Sequence, residues 1–207
     1  MVQSINVPAI KLFMKLLFSG KAERLRLTRP VLAVKNLSGV DWGHLQKNLG
    51  IRCIILDKDN TITAPYVDSQ VHPLLTDSVT ELLNTFGETN VAILSNSAGT
   101  LDDSPNYTQA KQIEKTTGIV VIRHDVKKPG GLGEVLSHFN GTVGTSPPGN
   151  SAVCAEDCAI VGDRILTDVV FGNLCGMMTI HVEPLTLVGD NFMAKWMRRA
   201  ERKIFPF

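Results

Sequence analysis

Five short runs of apolar, largely β-branched residues recur along the chain: Arg52–Leu56, Val91–Leu94, Ile119–Ile122, Ala159–Val161 and Met178–Val182. They constrain its fold more than any other feature. Continuous apolar runs of this length suit strands buried on both faces. Helical patterns fill the intervals, at Leu74–Phe86, Thr108–Thr117, Gly131–Phe139 and again after Asp163. Alternation of this kind predicts an α/β architecture, a parallel sheet with helices on both faces. Two stretches, Gly99–Asn106 and Gly141–Ser151, read as exposed loops, and no internal repeat is present. The first forty residues stand outside the rhythm. The expected organisation is therefore an appendage over 1–40, a body over 41–190 and a C-terminal helix over 191–207.

Charge separates these parts. Residues 1–40 carry seven Lys/Arg against Glu23, a net +6, and residues 195–207 carry a net +4. With +1 over the whole chain, the middle is left at −9. An acidic body with two basic ends points to a polyanionic or membrane partner. The four cysteines (Cys53, Cys154, Cys158, Cys175) form no disulfide framework and suit a reducing compartment. Cys154 and Cys158 have no accompanying His pair, so a zinc site is not expected.

Each strand run ends in residues that phosphate chemistry can use. Cys53–Leu56 leads into Asp57-Lys58-Asp59-Asn60-Thr61, two carboxylates two positions apart at a strand exit. Ligands of open α/β sheets bind at such exits. One carboxylate there can attack phosphorus while the other protonates the leaving oxygen and later activates water. Val91–Leu94 leads into Ser95-Asn96, a hydroxyl and an amide; either is also an ordinary turn or cap residue. Ile119–Ile122 leads towards Lys127-Lys128-Pro129, and one of these lysines can neutralise phosphate charge. Ala159–Val161 ends in Gly162-Asp163, with Asp168 five residues beyond, a spacing able to hold Mg²⁺. A formal Cys-x5-Arg match, Cys158 to Arg164, is set aside. That chemistry needs a curled phosphate loop, and the residues between read as a strand.

In this order, D-x-D-x-T, Ser, Lys and G-D-x4-D, the set resembles the haloacid dehalogenase (HAD) phosphatase superfamily over about residues 50–183. The resemblance implies a HAD-like Rossmannoid sheet. It makes Asp57 the nucleophile of an aspartyl-phosphate intermediate and Asp59 the general acid/base. Thr61 would brace the loop, Ser95 and Asn96 would contact phosphoryl oxygens, and Lys128, which directly precedes the proline, would neutralise charge. Mg²⁺ would be held by Asp57, Asp59 and Asp163, with Asp168 in support. His124 takes no role and reads as a surface histidine.

The spacings leave no room for a large cap domain, so the site should be open and the phosphate presented on something large. The ends choose among carriers. On a wheel of about 100° per residue, Pro8–Ser19 gathers Leu12, Leu16, Phe13, Leu17, Ile10, Met14 and Phe18 on one arc, with Lys11 and Lys15 on the remainder. Such a helix is too short to span a bilayer but suits lying in its interface. Phe192–Ile204 divides similarly into apolar and basic sides. Together with Arg123-His124-Asp125-Val126-Lys127-Lys128-Pro129-Gly130, these features resemble the mitochondrial phosphatidylglycerophosphate phosphatases of the HAD superfamily. That resemblance implies hydrolysis of the terminal phosphomonoester of phosphatidylglycerophosphate to phosphatidylglycerol, in cardiolipin biosynthesis. It also implies a phospholipid substrate, an anionic membrane surface as partner, no nucleic acid, and a peripheral place at the matrix side of the mitochondrial inner membrane. An uncapped HAD phosphatase acting on phosphoserine or phosphothreonine, and a non-enzymatic membrane-binding scaffold, are the alternatives.

Overall fold

The computed structural model describes residues 6–65, 67, 70–142 and 151–186. Six strands form one parallel sheet: β1 (Leu32–Val34), β2 (Cys53–Leu56), β3 (Val91–Ile93), β4 (Val120–Val121), β5 (Cys158–Gly162) and β6 (Met178–Val182). Their spatial order is β1-β6-β5-β2-β3-β4. The chain runs outward from β2 through β3 to β4, then returns to β5 on the other side of β2. The pair β2/β5 is therefore the topological switch point, where an open sheet leaves a crevice beyond its carboxyl ends.

Alternation along the strands builds two core layers. Ile54 and Leu56 of β2 face Trp42, Val79, Leu82, Phe86, Ala110 and Ile113. These come from α3 (Trp42–Lys47), α4 (Thr76–Phe86) and α5 (Thr108–Thr117). Cys53 and Ile55 face Val135, Phe139 and Phe171, from α6 (Leu132–Thr142) and α7 (Val170–Cys175). Helices thus cover both faces, as the short apolar runs require. The segment after Asp163 starts as a π-helical turn, Ile165–Val169, before α7. Turns of this kind recur at functional sites.

The N-terminal region departs from expectation in two ways. Residues 32–34 are not appendage: β1 pairs with β6 in register Leu32↔Ile180, and Leu37 and Val40 are in the core, so the boundary at residue 40 does not hold. The amphipathic helix is present as α1 (Val7–Phe18), followed by α2 (Lys21–Thr28), but its apolar arc is split. Phe13 and Leu16 pack with Leu27, Ile165, Leu166, Val169 and Val170. Val7, Ile10, Met14 and Phe18 remain exposed, Phe18 at 84%. One half meets the body because α7 and its preceding turn offer an apolar face there; the other meets solvent.

Among the described residues no helix is long and apolar enough to cross a membrane. Between Thr61 and Ser95 the described residues form two 3-10 turns, α4 and β3, and between Asn96 and Lys128 a 3-10 turn, α5 and β4. Neither interval holds a cap domain. The Gly99–Asn106 loop is anchored rather than loose, since the buried Asp103 accepts from the amides of Gly99, Gln109 and Ala110. The expected C-terminal helix over 191–207 and most of the Gly141–Ser151 loop lie outside the described residues.

Candidate active site

The strand exits bring four charged side chains to the crevice. Asp57 continues the β2/β5 ladder, its amide donating to the Val161 carbonyl at 2.8 Å. Lys128 is fully buried, and its Nζ donates to Asp57 Oδ1 and to Asp168 Oδ1, each at 2.6 Å. Asp168 also accepts from the Arg164 amide at 3.1 Å, which fixes its second oxygen. Asp163 follows β5 directly and is buried at 4% exposure. Carboxylate oxygens of Asp57, Asp163 and Asp168 all lie within 4.8 Å of one another.

Gly162 makes this convergence possible. A Cβ there would stand 2.3 Å from Asp168 Oδ2, so any side chain would expel the carboxylate.

Electrostatics follows from burial and charge count. Burial raises the Asp57 carboxyl above its ordinary value; Lys128 pulls it back, and the Asp168 carboxylate adds to the rise. For Lys128 burial acts downward, but Asp168 and Asp57 outweigh it and the net direction is up. Three buried carboxylates against one ammonium leave the centre negative. An all-oxygen set of this kind fits a hard divalent cation such as Mg²⁺. Lys128 engages Oδ1 of Asp57 and of Asp168 alike, but the second oxygen of Asp168 also accepts from the Arg164 amide, so Asp57 and Asp163 fit a cation better than Asp168 does.

Around this centre the expected residues fall into distinct places. Asp59 lies at the mouth, its side chain 28% exposed, and is paired with the buried Lys58 at 2.8 Å. Asn60 turns the loop with φ of 64°, a left-handed conformation asparagine tolerates. Thr61 is buried, but its hydroxyl makes no hydrogen bond. The loop is braced instead by Thr63, whose Oγ1 donates to the Lys58 carbonyl at 3.4 Å. Ser95 is buried at the exit of the neighbouring strand, its Oγ 3.0 Å from Ser97 Oγ. Asn96 uses its Oδ1 to accept from the Lys128 amide at 2.8 Å, so it holds the lysine loop.

The two lysines separate by geometry. Lys127 binds Asp102 at 2.7 Å, away from the carboxylates, leaving Lys128 as the lysine of the centre. His124 is not a surface residue; it is 3% exposed, with Nδ1 3.0 Å from the Ile122 carbonyl, and burial lowers its pKa. Cys158 lies inside β5. Its hydrogen bond with Cys53 and its burial push the thiol up, which disfavours the thiolate a cysteine phosphatase needs. Lys58, to which the sequence assigns no role, is buried beside Asp59. Gly162 was readable only as half of the Gly-Asp pair.

The family model for mitochondrial PGP phosphatase matches residues 10–186, including every charged group of the centre. The chain belongs to this family of phosphatases. It is 38% identical to a chloroplastic phosphatidylglycerophosphate phosphatase of Chlamydomonas reinhardtii, over 96% of this chain and 67% of that one. A chloroplastic/mitochondrial phosphatidylglycerophosphate phosphatase of Arabidopsis thaliana is 37% identical over 83% of this chain and 45% of its own length. The mitochondrial phosphatidylglycerophosphatase of Saccharomyces cerevisiae is 35% identical over 76% and 78%. The family match begins at Ile10 and so takes in most of α1.

Proposed function

We propose that this chain is a HAD-superfamily, Mg²⁺-dependent phosphatidylglycerophosphatase. The observation that carries the chemistry is the Lys128 ammonium bridging Asp57 and Asp168 at 2.6 Å beside Asp163, at the β2/β5 switch point. The phospholipid specificity is supported by the family and by the names of its members. Asp57 attacks phosphorus and Asp59 gives its proton to the departing glycerol oxygen, leaving an aspartyl-phosphate. Asp59 then takes a proton from water, which attacks the phosphorus and regenerates the Asp57 carboxylate. Lys128 holds Asp57 in line and offsets phosphoryl charge, while Asp168 holds Lys128. Ser95 contributes a hydroxyl at the phosphoryl side. A bound Mg²⁺, held by Asp57, Asp163 and the Asp59 carbonyl, would supply charge neutralisation to the phosphoryl oxygens.

The exposed stripe Val7, Ile10, Met14 and Phe18, with Lys11, Lys15, Lys21, Arg24, Arg26 and Arg29 nearby in sequence, supports seating on an anionic lipid surface. A peripheral place at the matrix side of the mitochondrial inner membrane, with phosphatidylglycerol passed to cardiolipin synthesis, is part of the proposal and is supported by the mitochondrial names of the family and of the yeast relative. Phosphate release from phosphatidylglycerophosphate in anionic liposomes, with Mg²⁺ and with excess chelator, tests it. Turnover with Mg²⁺ and none with chelator is the expected result. Preference for a phosphoserine peptide over the lipid, or full activity in chelator, would sink it.

A further inference from the structure

The catalytic lysine is held by its backbone as well as by its ammonium. Asn96 accepts from the Lys128 amide at 2.8 Å, and Asn6 Nδ2 donates to the Lys128 carbonyl, also at 2.8 Å, across 122 residues of sequence. The orientation of the Asn6 amide is fixed from its other side. Its Oδ1 accepts from the Ala9 amide at 3.1 Å and caps α1. The same helix packs Phe13 and Leu16 on Ile165, Leu166 and Val169, the turn that carries Asp168. Helix α1 therefore grips both partners of the Lys128–Asp168 pair, one through a hydrogen bond and the other through apolar packing.

We propose that Asn6 is a positioning residue for turnover, holding the Lys128 backbone so that Nζ stays centred between Asp57 and Asp168. This rests on the role given to Lys128 above. A lysine side chain has four rotatable bonds, so fixing the backbone that launches it narrows the positions Nζ can take about its two 2.6 Å contacts. The N-terminal helix is then part of the catalytic apparatus as well as a lipid-facing element, and its removal impairs hydrolysis of soluble substrates too.

Two variants of the full chain separate positioning from capping. Asn6→Asp keeps the cap acceptor, with a charge that suits a helix N-terminus, and loses the Nδ2 donor. Asn6→Ser keeps a cap without adding charge. With a soluble aryl phosphate, kcat should fall about three- to tenfold in both, the worth of one net hydrogen bond, while KM and melting temperature stay near wild type. Hydrogen exchange of the peptide spanning 123–131 should quicken in both variants, a readout that needs no substrate. Unchanged kcat together with unchanged exchange in that peptide would overturn the proposal and leave Asn6 a helix cap. Wild-type activity on the liposomal lipid is scored separately. Its failure, alongside an Asn6-dependent aryl phosphatase, would sink the lipid reading and leave the positioning role standing.

Discussion

Lys128→Met should leave an already negative centre without the ammonium that offsets it. The lysine side chain has no solvent exposure and meets two carboxylate oxygens at 2.6 Å. Methionine has similar volume, so little cavity forms and the loss is electrostatic. Removing one partner from a buried ion pair costs about 3–5 kcal/mol, a large share of the roughly 5–15 kcal/mol that holds a domain together. At ~2–4 °C per kcal/mol for a domain of this size, the melting temperature should drop by roughly 6–20 °C near neutral pH without divalent cation.

The pH dependence carries the sharper signature. In the wild type Lys128 is shifted upward, so its stabilisation is complete below the ordinary lysine value of about 10.4 and is lost as pH rises through the shifted one. Asp57, also shifted upward, works against folding as pH climbs from the ordinary carboxylate value of about 3.9 through its raised one. Without Lys128 the Asp57 carboxyl loses the charge that pulls it down and rises further. The variant should then regain stability on mild acidification, and also on adding Mg²⁺, by about 2.7 kcal/mol at a hundredfold excess over Kd. Urea or thermal melts over a pH and Mg²⁺ grid read this directly. A variant as stable as wild type at neutral pH, or one whose deficit against wild type widens on mild acidification, refutes the reasoning.

Three further outcomes are expected. Gly162→Ala places a Cβ against the Asp168 carboxylate and should cost about 1–3 kcal/mol by overpacking, with turnover falling alongside; unchanged melting and kcat would show that Asp168 can move freely. Burial depresses His124, so the folded state resists its protonation and stability should decline as pH falls below about 6.5, by at most ~1.4 kcal/mol per pH unit. His124→Phe should flatten that slope in acid melts, and an unaltered slope assigns the titration elsewhere. Replacing Ile10, Met14 and Phe18 together by Ser should abolish sedimentation with anionic liposomes, since each buried apolar side chain contributes on the order of 1.5–3 kcal/mol; full retention would move the lipid-facing surface off α1.

The charged centre was legible because Asp57 follows an apolar run directly, Asp163, Lys128 and Asp168 come within a few residues of one, and a parallel sheet brings every strand exit to one edge. Asp57, Lys128, Asp163 and Asp168 meet for that reason. Strand β1 escaped because it is three residues long, only partly buried and paired on one side. The helical wheel of α1 showed an apolar arc but could not say which half meets the body; the partner face, Ile165 to Val170, comes from a distant turn. His124 reads from sequence as a surface residue because polar residues usually are and Lys58 takes no role there, whereas the fold encloses both. Asn96 was assigned to phosphoryl oxygens, and its bond to the Lys128 amide depends on loop geometry that no local pattern encodes. Asn6 and Lys128 meet only through tertiary structure.

The proposed chemistry depends above all on Asp57 carrying the phosphoryl group between the two steps. Turnover of phosphatidylglycerophosphate carrying a radiolabelled terminal phosphate, quenched in acid and digested, gives the test. Label on the peptide containing residue 57, absent in Asp57→Asn together with turnover, is the predicted result. Steady turnover with no label on the protein, or label on the peptide containing Cys158, would contradict it.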